Sequence, residues 1–252
     1  LGKTVSPIHG LRGDVKKTLQ KLLPLLHKVS HPDWQAQIDE MLVQEQAGLD
    51  SREGMTPRNV ITTLNRFLGE NTPVATDVGQ HQMWAAQYLN LKTSRRFLSS
   101  GGLGTMGFGM GAAIGAALGC GERSVLVTGD GSFGMNLNEL ATAVANQIPM
   151  VILLLDNNVL GMVRQWQTLF FDKHYSNTNL DARKTDFVKL AEAFGAEGSR
   201  ALTIPELEAA LAKAFSWNGP YLIDCAIDRD EFVLPMLPPG GSMDDIITRI
   251  GD

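Results

Sequence analysis

The apolar residues of this chain follow two rhythms. From residue 74 onward, short unbroken runs of apolar and β-branched residues alternate with longer stretches in which apolar positions return every three or four residues. Runs such as Val125, Leu126, Val127 and Val151, Ile152, Leu153, Leu154 offer no polar face, as expected of strands covered on both sides. They predict strands at 74–77, 96–99, 125–128, 151–155 and 221–226. The intervening stretches predict helices at 59–68, 83–88, 110–118, 136–146, 186–194 and 204–215. Such alternation predicts the α/β class, a parallel sheet with helices on both faces. Thr56 followed by Pro57 reads as an N-cap with proline at the first helical position, and it marks where this domain begins.

The earlier residues read differently. Gly13 and Asp14 lead into a helical pattern at 15–23, and 27–45 is polar and helix-prone, with Pro32 expected to interrupt it. The chain therefore divides into a short helical segment with linker, 1–50, and the α/β domain, 51–252.

Two strand ends carry the candidate chemistry. One predicted strand runs into Gly129, Asp130, Gly131 and Ser132; another ends in Asp156, Asn157 and Asn158. Asp130 and Asn157 lie 27 residues apart, the length of a loop, a helix and a strand. A parallel βαβ unit brings them to one edge of the sheet. Magnesium takes one or two protein oxygens while phosphates and water complete its shell, so a carboxylate, an amide and a glycine that admits a phosphate suit a metal–diphosphate site. Either half alone is a common turn or helix cap; the pairing in one unit points to a cofactor.

Three features stay open on pattern alone. Met106, in a glycine-rich stretch, is by itself core filler as readily as a cofactor contact. If 162–167 is helical, Met162 and Trp166 share a face, which serves a core or a pocket. The polar segment 170–184 reads as a long loop, either a lid or plain surface.

Composition narrows the class. At 252 residues, with 44% apolar and 19% charged, the chain has the make-up of a soluble globular protein. The net charge of −5 without a basic run argues against a nucleic-acid partner, and no apolar stretch approaches the ~20 residues needed to span a bilayer. Cys120 and Cys225 lack metal or redox spacing and are expected to be reduced core thiols. The first residue is not methionine and no secretory pattern follows, which predicts a trimmed or excised piece of a cytoplasmic protein.

The motifs at 77–86 (DVGQHQMWAA), 102–109 (GLGTMGFG), 129–131 with Asn157, and 161–167 (GMVRQWQ) resemble the acetolactate synthase (acetohydroxyacid synthase) large subunit, over its thiamine-diphosphate-binding C-terminal domain. The likeness runs from about Met55 to the end of the chain, with 1–50 resembling the tail of the family's middle domain. It implies that Asp130, Asn157 and the main-chain carbonyl of Val159 hold Mg2+. It implies that Gln80 and His81 contact the diphosphate of thiamine diphosphate, with Gly129, Gly131 and the hydroxyl of Ser132 beside them. Met106 would support the bent cofactor from beneath, and the Gly104 carbonyl would bond its amino group. Gly161, Met162 and Trp166 would line the substrate channel, Trp166 limiting the second substrate. Pro235 to Gly241 resembles the family's closing tail.

The implied activity is a carboligating transferase of branched-chain amino-acid biosynthesis. It joins pyruvate to pyruvate or 2-oxobutyrate and yields acetolactate or acetohydroxybutyrate. The resemblance further implies a homodimer or tetramer, a possible regulatory small subunit, FAD only in the complete protein, and a bacterial-type cytoplasmic location with organellar origin left open. The family's pyrimidine half, with its glutamate, precedes anything in this chain, so the chain alone is expected to be nearly inactive. Met110 and Gly111 stand where relatives usually carry Leu-Pro; glycine there is expected to loosen the helix start by on the order of 1 kcal/mol. Another thiamine-dependent decarboxylase or oxidase, or a non-catalytic cofactor-binding or dimerising module, remains the alternative.

Overall fold

A computed structural model describes residues 2–3, 5–48 and 52–250. The chain divides into two compact units, 1–51 and 52–252; residues 49–51, around the boundary expected from sequence, lie outside the described ones. The first unit holds α1 (Val15–Leu22) and α2 (Pro32–Gly48). Asp14 caps α1 by accepting the Lys17 N–H. Pro32 does not interrupt a helix but opens one, because at the first position its missing N–H costs nothing.

The second unit runs α3 (Pro57–Asn65), β1 (Val74–Thr76), α4 (Gln80–Tyr88), β2 (Phe97–Leu98), α5 (Phe108–Cys120), β3 (Ser124–Gly129), α6 (Asp130–Asn136), α7 (Leu140–Ala145), β4 (Met150–Asp156), α8 (Gly161–Phe170), α9 (Phe187–Phe194), β5 (Glu197–Ala201), α10 (Ile204–Ser216) and β6 (Pro220–Ala226). Among the described residues six strands form one parallel sheet, in the order β2-β1-β3-β4-β6-β5. This is the α/β class expected. The period of two along each strand splits the core between the faces. Val125, Val127, Val151 and Leu153 meet α3, α4 and α10 on one face. Leu126, Ile152 and Leu154 meet α5, α7 and α9 on the other.

Several elements depart from the sequence expectation. β5 was missed, because an edge strand reading Glu-Gly-Ser-Arg-Ala is half-exposed and has no apolar run. The helix expected at 136–146 is two helices, α6 starting at Asp130 and α7 at Leu140, separated by a 3-10 turn at Leu137–Glu139. Glycines at 131 and 134 hid the first of them from propensity reading. Cys225 is buried as expected, but Cys120 is exposed at the end of α5, where its sulfur accepts a hydrogen bond from Arg96 at 3.0 Å. α5 begins at Phe108, so Gly111 falls one turn inside it and not at its start.

Candidate cofactor site

β1, β3 and β4 end side by side, and the chain changes direction across the sheet here: from β1 it goes outward to β2, then back across to β3. Such a switch point is where parallel sheets open a crevice at their carboxyl ends. Asp77, just past β1, is buried; its Oδ1 accepts the N–H of Val78 and of Gly107, both at 2.8 Å. The strand end thus grips the glycine-rich loop carrying Gly104 and Met106. Burial raises the pKa of this carboxyl and the main-chain N–H groups pull it back.

Gln80 and His81, which precede the helix expected at 83–88, form the first turn of α4. Gly79, at φ 153°, lets the chain pass from strand into helix within one residue. The His81 ring packs over Gly129, where a Cβ would stand 2.8 Å from Nδ1. Its pKa is pushed down to about 3, chiefly by burial, so the imidazole is neutral near pH 7. Its Nε2 is buried without a partner, as is Oε1 of Gln80.

Asp130 opens α6 directly on β3. The register pairs Gly129 with Leu155, which sets Asp130 and Gly131 beside Asp156 and Asn157 on the neighbouring strand end. Spacing has become proximity. Burial, then the charge of Asp156, drives the Asp130 pKa up to about 7, while the Gly131 amide and the Arg183 charge oppose. Asn157 is also buried; its Oδ1 accepts the Val159 N–H at 3.2 Å, leaving a second lone pair for a ligand. Ser132 spends its hydroxyl proton on the Val78 carbonyl, so the hydroxyl donor expected from sequence is engaged.

α8 confirms that 162–167 is helical. α4, α6 and α8 all open at this edge, and none has a side-chain cap hydrogen bond. No cap side chain occupies their first turns, although the Gln82 N–H of α4 already bonds the Gly79 carbonyl at 3.1 Å. The longer two, α4 and α8, also direct positive dipole ends at this edge, a ready anion site. A cavity of about 290 Å³ collects Gln80, His81, Gly104, Met106, Gly129, Asp130, Gly131, Ser132, Asn157, Val159, Gly161 and Met162. Trp166 is not among them. It lines a second cavity of about 560 Å³, which shares Met162 and Val163 with the first. The segment 170–184 is partly ordered against the site: Leu160 donates to Thr178 O and Leu180 to Asn158 O, each at 2.8 Å.

Three residues near the cavity were missed from sequence as contributors. Asp77 anchors the glycine loop, and its place after a strand could have drawn notice. Gln165, buried in α8, joins the Gln80 amide. Arg183 donates to the Asp130 carbonyl at 2.7 Å from a polar loop, where nothing in the pattern marks it.

These residues fit a divalent cation with a diphosphate. Among the described residues no cluster of three or more His, Cys, Asp or Glu could hold a metal by itself. One carboxylate, one amide and a carbonyl suit magnesium only where phosphates complete the shell. The open helix ends would offer donors to the phosphates, and the unpartnered Nε2 and Oε1 would face what completes the shell of the ion.

Fold and crevice together define a cofactor-binding α/β domain. Residues 77–225 match the family described as "Thiamine pyrophosphate enzyme, C-terminal TPP binding domain", and the chain belongs to it. It is similar to "Acetolactate synthase 1, chloroplastic" of Nicotiana tabacum, at 38% identity over 99% of this chain and 39% of that protein. It is 41% identical to "Acetolactate synthase isozyme 2 large subunit" of Escherichia coli, over 95% of this chain and 43% of the relative. The "Probable acetolactate synthase large subunit" of Methanocaldococcus jannaschii is also 41% identical, with 99% and 44% covered. The chain spans about two-fifths of the length of the curated relatives it matches.

Proposed function

We propose that this chain is the diphosphate-binding part of an acetolactate synthase that joins two 2-oxo acids with thiamine diphosphate and Mg2+. The observation that carries this is the meeting of Asp130 and Asn157 at adjoining strand ends, beneath helix ends that no side chain caps. Asp130, the Asn157 amide and the Val159 carbonyl hold the ion. Helix N–H groups, among them those of Gly131 and Ser132, hold the diphosphate, with His81 and Gly129 beside it. The cofactor, when bound, supplies the electron sink for decarboxylating one 2-oxo acid and joining what remains to another.

The chain's own residues position and exclude. Met106, with its terminal carbon 3.9 Å from where a Cβ on Gly131 would stand, supports the ligand from one side. Gly104 offers its carbonyl to an amino group. Gly161 and Met162 wall the cavity, and Trp166 narrows the adjoining one to small acids. The assignment of FAD, a dimer or tetramer, a regulatory subunit and a cytoplasmic setting belongs to the same reading of the whole protein. No helix among the described residues is long and apolar enough to cross a membrane.

Calorimetric titration of the chain with thiamine diphosphate and Mg2+, repeated on Asp130→Ala, tests the site. Binding that weakens at least about tenfold in the variant is expected for a lost charged ligand. Equal affinity in both proteins removes Asp130 as a ligand and the reading with it.

A further inference from the structure

We propose that Gln165 is a positioning residue, locking the Gln80 amide so that its carbonyl oxygen and not its NH2 faces the bound group. The hydrogen bonds assign both amides without ambiguity. Val233 donates its N–H to Gln165 Oε1 at 2.9 Å and accepts from Gln165 Nε2 at 2.9 Å. A backbone N–H can only donate and a C=O can only accept, so the Gln165 amide has one orientation. Its Oε1 then takes a proton of Gln80 Nε2 at 2.8 Å, and the Glu231 carbonyl takes the other, also at 2.8 Å. The NH2 of Gln80 is exhausted.

What remains to Gln80 is Oε1, a buried acceptor with no partner. It lies at the mouth of α8: a Cβ on Gly161 would stand 2.0 Å from it and 3.1 Å from the Asn157 amide nitrogen. Glycine is required there because the locked oxygen fills the space. A phosphate oxygen is itself an acceptor and cannot satisfy Oε1. A water on a divalent cation, or an N–H or O–H of the ligand, can. Gln80 is thus recast from the diphosphate donor implied by its motif to an acceptor for a proton-bearing group. Gln165 also reaches Met236 Sδ at 3.3 Å, so the set of the Gln80 amide depends on the 231–236 strap being in place.

This rests on the proposed Mg2+ and thiamine diphosphate site, and the test separates the two. The 252-residue chain is titrated calorimetrically with thiamine diphosphate and Mg2+ as wild type, Gln165→Leu, Gln165→Glu, Gln80→Leu and the Gln80→Leu, Gln165→Leu double variant. Glutamate at 165 still presents an acceptor oxygen to Gln80, whereas leucine does not. Gln165→Leu is expected to weaken binding about tenfold, Gln165→Glu to stay within about threefold of wild type, and Gln165→Leu to cost nothing more once Gln80 is leucine. Equal losses in the leucine and glutamate variants, or losses that add in the double variant, overturn the proposal: Gln165 is then a plain tether for the strap. Circular dichroism checks folding, and Gln165→Met replaces Gln165→Leu if the latter does not fold. Failure of the wild type to bind, or unchanged binding in Asp130→Ala, instead brings down the cofactor site on which the proposal stands.

Discussion

Helices α8 and α10 are finished in opposite ways. α10 is closed at both ends: Thr203 and Glu206 form a capping box, Lys213 lies in the last turn, and Arg123 donates to the carbonyls of Ala214 and Trp217 just beyond. It buries only apolar residues, Leu207, Ala210, Leu211 and Ala214. α8 has no side-chain cap, and its one fully buried residue is a glutamine. The difference separates two uses of one sheet. α10 satisfies its own end groups, whereas the crevice leaves Gln80 Oε1 and His81 Nε2 without partners, a cost that a bound ligand would recover.

The largest expected effect lies in the core beneath α10. Leu153, wholly buried on β4, packs in the cluster that α3, α4 and α10 cover, and Leu153→Ala is expected to cost ~2–5 kcal/mol, read from the urea midpoint. If the crevice does forgo stability for binding, Asp130→Asn should stabilise the ligand-free chain by about 1–3 kcal/mol above pH 7, since burial disfavours its charge. The same variant should lose the rise in melting temperature that thiamine diphosphate and Mg2+ give the wild type. A destabilised ligand-free variant would contradict the contrast.

At the finished end, Thr203→Ala opens the capping box and should cost about 1 kcal/mol in chemical denaturation, with ligand affinity unchanged. The smallest effect is a pH slope. Burial, then the charge of Asp156, raises the Asp224 pKa to about 6, against the partial relief of Arg200. A carboxyl raised above its unfolded value of 3.8 contributes stability that is full below that pH and is lost as pH rises through about 6. His81 acts oppositely: with its pKa lowered from 6.5 to about 3, its contribution is present above 6.5 and lost as pH falls towards 3. The stability difference between wild type and Asp224→Asn isolates the first group. It should move in favour of the variant between pH 4 and 6.5, measured by urea denaturation; a constant difference would show that Asp224 does not titrate in that window.

The elements most legible in the sequence were those with unbroken apolar runs. β3 and β4 bury every position, so their hydropathy is continuous and their ends, where Asp130 and Asn157 stand, could be located closely. β5 could not, because an edge strand is half-wet and its residues are polar. α6 was hidden by its glycines. Of the residues assigned a role by motif, Trp166 alone falls outside the first cavity and lines the second, because it lies one turn further along α8 than Met162, which lines both. Arg183 left no trace in the pattern, since a polar residue in a polar loop looks alike whether it faces water or the Asp130 carbonyl.

Local order along the chain, then, determined the alternation of strands and helices, the parallel sheet, and the meeting of Asp130 with Asn157, because hydrophobic period and βαβ length are properties of neighbouring residues. Only the folded molecule decided which way the Gln80 amide points, which carboxyls burial pushes above their ordinary pKa, and which helix ends stay open. Hydrogen-bond direction and desolvation depend on groups brought together from opposite ends of the chain, such as Gln80, Gln165 and Val233, and no local pattern encodes their meeting.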